Sequence, residues 1–201
     1  MDGSIAKLIL WRNVHAGDTV FVPAGTIHTL SAGLVIAEIQ QRSDTTFRLH
    51  DPVGNRELHI DQAVGAACAD LAPEQPRPRR LDDERTLLVR DPHFIIERLD
   101  LAEGSERFLK ADRETWLLIV GGGGRAGSFE VSPGCVVFAS ADSIAMKAGA
   151  QGMVCIVAYA GAERPEPELL FDAAPCVGLD IARTPASLPS VKEIHLVRQS
   201  Q

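Results

Sequence analysis

Gly17-Asp18-Thr19-Val20-Phe21-Val22-Pro23-Ala24-Gly25-Thr26-Ile27-His28 has the form G-D-x4-P-x-G-x2-H. The Gly-Asp pair favours a turn, because glycine reaches positive φ without steric cost and aspartate bonds its own backbone. The apolar run after it reads as a strand, and Pro-x-Gly reads as a second tight turn that returns the chain antiparallel. This spacing aims His28 into the mouth of a β-barrel. A lone histidine near an apolar strand is usually a hydrogen-bonded core residue. Several spaced constraints coincide here, so His28 is read as a metal position, with a structural imidazole as the alternative.

The same texture continues outward. Short runs of β-branched and aliphatic residues, separated by Gly, Pro, Asp and Ser, predict an all-β sandwich or barrel. Strands are expected at 5–11, 19–22, 34–40, 45–50, 94–101, 115–120, 136–139, 143–147 and 153–159. One helix is expected over 61–71, where Val64, Cys68 and Leu71 recur at helical spacing and Asp61 stands ready to cap the first turn. Pro73, Pro76 and Pro78 then forbid regular hydrogen bonding and favour an extended connection. The expected organisation is residues 1–71, a Pro-rich linker at 72–86, a second β-block at 87–160, and an extended tail at 161–201. Within that tail, 193–197 alternates like one short strand that completes a sheet edge or crosses to a partner.

With 201 residues, 45% of them hydrophobic, the chain is large enough to bury a real core. Its 27 acidic residues outnumber 20 basic ones, giving a formal charge of -7, so binding to nucleic acid or to an anionic membrane is not expected. Cys68, Cys135, Cys155 and Cys176 form no CxxC pair and sit among apolar or small neighbours, as buried thiols of a reducing compartment do. No signal-like segment and no apolar run of roughly 18 residues is present, so a cytoplasmic location is the expectation.

The opening motif is similar to the second conserved motif of the cupin superfamily, whose final histidine is a metal ligand. The asparagine often found four residues later is Ala32 here. The segment from Val35 to Asp51, with Gln41-Arg42-Ser43-Asp44-Thr45-Thr46-Phe47-Arg48 at its centre, is followed by Arg56-Glu57-Leu58-His59. It resembles class I mannose-6-phosphate isomerases, which carry a Q-x-S-D-x-T-x-R block and then R-E-L-H. The resemblance is strong over residues 15–71 and weak over the second β-block, matching the C-terminal part of the family's chain.

That resemblance implies an RmlC-like jelly roll: one incomplete metal-binding barrel, then a second, metal-free cupin barrel, with few short helices. It implies interconversion of mannose 6-phosphate and fructose 6-phosphate, with zinc held by a Gln, two His and a Glu. His28 matches the last of those ligands and Arg48 the arginine at the substrate, with Arg42, Asp44 and His50 as further substrate-binding candidates. The chemistry explains an arginine there. Proton transfer between C1 and C2 of an open-chain sugar passes through an enediolate, whose charge a forked, always protonated guanidinium stabilises. The alternative for Arg48 is a surface-strand arginine paired with Asp44 or Asp51.

Residues 1–14 hold no Q-x-H and one acid, Asp2, so only one of the family's zinc ligands is present. One histidine does not hold zinc tightly, and this chain alone is expected to be a poor metalloenzyme. A strand over 45–50 would put Arg48 and His50 on one face, leaving an alternative two-histidine site open, while His15, His59, His93 and His195 read as turn or surface residues. The motif has a degenerate echo from Gly134 to Ala145, with Ser140, Asp142 and Ala145 in the places of its proline, second glycine and histidine. Gly121-Gly122-Gly123-Gly124 lacks the Lys-Ser/Thr of a phosphate loop and reads as a flexible hairpin turn.

Two functions remain: a sugar-phosphate isomerase, and a non-catalytic cupin module that has lost its metal. A cupin dioxygenase or epimerase is a distant third. Strand edges left exposed by an incomplete barrel favour pairing with a second copy, so a homodimer is expected.

Overall fold

The computed structural model describes residues 7–41, 45–51, 54–68, 74–161 and 170–172. The chain separates into two compact units that divide between Pro76 and Arg77. Its described secondary structure is mostly β, with one short helix.

The first unit contains α1 (Ile60–Ala66) and, among its described residues, no hydrogen-bonded strand. The strands expected over 19–22, 34–40 and 45–50 are therefore not ladders here. A strand needs a run of neighbouring backbone donors and acceptors, and among the described residues these segments pair into no ladder. At Phe21 a side chain takes the neighbour's place. The Gln75 carboxamide accepts from the Phe21 N–H at 2.8 Å and donates to the Phe21 carbonyl at 3.1 Å, as a peptide group in a ladder would.

The helix is shorter than the spacing predicts, and its buried face differs. Ala63 is buried while Val64 is 65% exposed, and Asp61 lies within the first turn, where its charge suits the helix dipole. His59, not Asp61, occupies the N-cap position, and its side chain makes no cap hydrogen bond. Cys68 is exposed, against the expectation of a buried thiol, while Cys155 in the second unit is fully buried. Burial, and secondarily the charge of Asp100, pushes the Cys155 thiol up to about 12.

Among its described residues, the second unit forms one antiparallel sheet of nine strands: β1 (Arg79–Arg80), β2 (Arg85–Arg90), β3 (Phe94–Leu101), β4 (Glu106–Ala111), β5 (Thr115–Ala126), β6 (Phe129–Val131), β7 (Val136–Ala139), β8 (Asp142–Ala160) and β9 (Leu170–Asp172). Its path runs β1-β2-β3-β8-β4-β9, and β5 pairs with β6, β7 and β8. No ladder closes the path into a barrel among the described residues. The segments at 143–147 and 153–159, expected as two strands, are one 19-residue strand. Its first half pairs with β4, its second half with β3, and β5 runs along its other side.

Alternation sorts the side chains. On β3, Ile95, Leu99 and Leu101 face the core, as do Leu117 and Ile119 on β5 and Met146, Met153, Cys155 and Val157 on β8. On the opposite face, the cross-strand neighbours Trp116 and Phe138 stack with ring centroids 4.6 Å apart.

The four-glycine run is not a hairpin turn. It lies inside β5, where register shifts between Ile119 and Gly121 and between Gly122 and Gly124 mark bulges against β8. Gly122 has φ +63, and a Cβ there would overlap the carbonyl oxygen of Gly152. At Gly124, with φ +149, a Cβ would overlap the Lys147 carbonyl oxygen. Glycine is needed here for the close approach of two backbones.

One ionic cluster sits inside this core. The Arg85 guanidinium forks onto Glu97, with Nε to Oε2 at 2.9 Å and Nη2 to Oε1 at 3.0 Å, and the Tyr159 hydroxyl donates to Glu97 Oε1 at 2.6 Å. All three residues are buried. Desolvation is the largest single effect and works against the Arg85 charge, yet the bonds to Glu97 and the charges of Glu97 and Asp82 together hold Arg85 above its ordinary value.

Candidate functional site

Both turns of the opening motif form as the sequence predicts. Asp18 N–H donates to the His15 carbonyl at 3.0 Å with Gly17 at φ +93, and Thr26 N–H donates to the Pro23 carbonyl at 3.1 Å with Gly25 at φ +83. A positive φ at the third position is the type II arrangement, which glycine permits. The second turn is docked on the end of α1: Cys68 N–H donates to the Gly25 carbonyl at 2.9 Å, and a Cβ on Gly25 would stand 2.9 Å from the Ala66 carbonyl oxygen. The glycine thus serves packing as well as turning.

His28 follows this turn directly. Its ring is exposed, and Nδ1 lies 2.9 Å from the Thr26 carbonyl oxygen. A carbonyl only accepts, so Nδ1 is the donor in this bond, and in the neutral ring Nε2 is then the nitrogen with the lone pair. This is the tautomer of an imidazole prepared to ligate a metal through Nε2. Among the described residues, however, no group of three His, Cys, Asp or Glu side chains comes together to hold an ion. His28 is a competent donor, and the described residues do not by themselves fit a zinc site.

Arg48 is held by the stretch that closes the family-like block. Its N–H donates to His59 Nδ1 at 3.2 Å, its carbonyl accepts from the His59 N–H at 2.9 Å, and its guanidinium Nη1 donates to the Glu57 carbonyl at 3.3 Å. Phe47 packs against the His59 ring, with centroids 6.2 Å apart. His59 is therefore not a surface residue. It is half-buried and sets the backbone of Arg48, a role the R-E-L-H sequence signals by its position but not by its chemistry.

The alternative pairing of Arg48 with Asp51 does not occur, because Asp51 is taken. Arg56 Nε and Nη2 fork onto Asp51 Oδ1 at 3.1 and 2.7 Å, while the N–H groups of Asn55 and Arg56 donate to Oδ2, each at 2.9 Å. The Arg56 guanidinium, foremost by its hydrogen bonds, holds the Asp51 carboxyl well below the usual carboxylate range. Arg56, Glu57 and His59 thus staple 54–59 to 45–51, leaving the other Arg48 donors without an acceptor among the described residues.

Of the remaining candidates, His50 is exposed, and Arg42 and Asp44 lie outside the described residues, as does the strand expected over 193–197. His28 and Arg48 each bond backbone near themselves and not one another. In the second unit, Ala145, the echo of His28, is exposed on β8, whereas its neighbours Ile144 and Met146 face the core. The echo therefore misses the interior in register as well as in residue type.

Known proteins bear on this arrangement. The chain is 32% identical over 121 residues to mannose-6-phosphate isomerase of Streptococcus mutans, a match covering 56% of this chain and 38% of that protein. It is 31% identical over 109 residues to mannose-6-phosphate isomerase of Bacillus subtilis, covering 50% and 35%. The relatives it resembles are mannose-6-phosphate isomerases. The chain spans little more than a third of the length of these curated relatives. No family model matches it.

Among solved structures, the mannose 6-phosphate isomerase of Bacillus subtilis aligns over 59% of this chain and 41% of its own, with a TM-score of 0.47 and 21% identity. An RmlC-like cupin from Shewanella frigidimarina aligns over 48% of this chain and 94% of its own, with a TM-score of 0.35 and 13% identity. No helix among the described residues is long and apolar enough to cross a membrane.

Proposed function

We propose that this chain carries part of a mannose-6-phosphate isomerase centre, in which His28 is a ligand position for zinc and Arg48 meets the sugar phosphate. The reading rests on the 32% identity over 121 residues, with the stapled Arg48 as the structural feature that fits it. A guanidinium whose backbone is fixed and whose donors remain open is suited to hold an enediolate or phosphate oxygen. Arg42, Asp44 and His50 belong to the same proposal as substrate contacts, within a protein of the cytoplasm. Among the described residues no three ligating side chains gather around His28, so a zinc ion there would need donors from outside them.

The test is titration calorimetry of the full chain with mannose 6-phosphate, alongside an isomerase assay with zinc supplied. The expected result is binding that Arg48→Ala weakens by about tenfold or more, the scale of one lost charge-assisted pair. Absence of both binding and turnover overturns the reading and leaves the second one, a non-catalytic cupin module. That second reading is favoured by one observation, the exposed His28 ring that, among the described residues, is bonded to the Thr26 carbonyl two positions before it.

The proposed assembly is a homodimer. Strands β6 and β7 pair with β5 alone, so each carries an edge that no other described strand covers. Light scattering is expected to give twice the 21.6 kDa of one chain, and a monomer would defeat the dimer.

A further inference from the structure

The second unit holds a cleft that the isomerase reading does not use. It is an open groove of about 190 Å³, lined by residues of β4 and β8, the end of β5 and Gly127. The register explains its character. Glu106 of β4 stands opposite Lys147 of β8, Lys147 opposite Arg125 of β5, and Arg125 opposite Glu130 of β6. Cross-strand partners share a face, so one row reads acid, base, base, acid, with two like charges side by side at its centre.

Such a pair is unfavourable by itself, and an anion between the two cations relieves it. The flanking carboxylates only partly do so. Lys147 Nζ bonds Glu106 Oε1 at 2.6 Å, using one of three donors. Arg125 reaches Glu130 through Nε at 3.4 Å, leaving both terminal nitrogens without an acceptor among the described residues. Arg107 also lines the groove, but it is engaged by Glu84 at 2.8 Å and Asp172 at 3.4 Å. The next row supplies an apolar wall and a low floor: Phe108 opposite Ala145, whose carbonyl accepts from Gly127 N–H at 2.7 Å.

We propose that this groove binds a small phosphorylated molecule, its phosphate between Arg125 and Lys147 and its organic part against Phe108, Ala145 and Gly127. In a chain of net charge -7, a paired-cation row beside an apolar wall selects by both charge and contact.

The test is titration calorimetry of the full chain with ribose 5-phosphate, inorganic phosphate and ribose. Ribose 5-phosphate is expected to bind more tightly than inorganic phosphate, and ribose not to bind. The doubly substituted Arg125→Ala/Lys147→Ala chain, which alters two side chains that are more than half exposed, is expected to lose at least about tenfold in affinity for both anions. Glu106→Gln, which releases Lys147, is expected to tighten binding. No binding by ribose 5-phosphate, equal binding of ribose, or unchanged affinity in the double variant would overturn the assignment. Substitution of Arg48 leaves this binding unchanged, so the groove and the isomerase reading fail separately.

Discussion

Replacing Glu97 by alanine is expected to cost about 3–5 kcal/mol of stability in the second unit, the range for breaking a buried ion pair from one side. The carboxylate is fully buried and accepts three hydrogen bonds, two from the Arg85 fork and one from the Tyr159 hydroxyl. Its removal leaves a guanidinium in the core without that fork, together with a cavity between β3 and β8. Glu97→Gln keeps an acceptor and is expected to lose less. The double substitution Arg85→Met/Glu97→Leu removes both charges and is expected to recover most of the loss, because desolvation consumes much of what the pair contributes. Amide exchange on β3 and β8 follows this unit by itself. A loss below about 1 kcal/mol for Glu97→Ala would show that the cluster is incidental to stability.

A second large effect is expected at the glycine run. Gly124→Ala is expected to destabilise by about 3–4 kcal/mol, combining backbone strain at φ +149 with overlap on the Lys147 carbonyl. A second backbone contact adds to it: the added methyl would lie 2.8 Å from the Gly149 nitrogen, while the Met153 methyl carbon at 3.0 Å can give way. Gly104→Ala is the control. Gly104 has φ +68 with nothing within 4 Å of its Cβ position, so only the conformational cost of about 1 kcal/mol is expected. Equal losses at the two sites in chemical denaturation would mean that conformation alone, and not the approach of β5 to β8, requires glycine at 124.

The structure also shows where local reading succeeds. The two motif turns around Gly17 and Gly25 form because proline, glycine and aspartate restrict their own dihedral angles, whatever the rest of the chain does. Strands β3 and β7 keep their expected boundaries, since runs rich in apolar residues between turn-formers define them locally. By contrast β4, with Glu106, Arg107 and Lys110 among its six residues, carries no apolar run, and its pairing with β8 is what makes it a strand.

The candidate site divides in the same way. His28 and Arg48 are legible because they stand in spaced motifs. The His59 contact, the Asp51–Arg56 fork and the Gln75 carboxamide that completes Phe21 are pairings across sequence gaps, and composition does not specify which donor finds which acceptor.

By itself, then, the sequence determined the turns, the β-rich character and the two chemistry-bearing side chains, all of which follow from the steric and polar preferences of single residues and their neighbours. Only the tertiary structure decided that residues 19–22, 34–40 and 45–50 join no ladder among the described residues, that four glycines lie within a bulged strand, and that Glu97 pairs with Arg85 in the core. The physical reason is common to all three: a ladder, a close backbone crossing and a buried ion pair are each properties of two segments brought together, and neither segment encodes its partner.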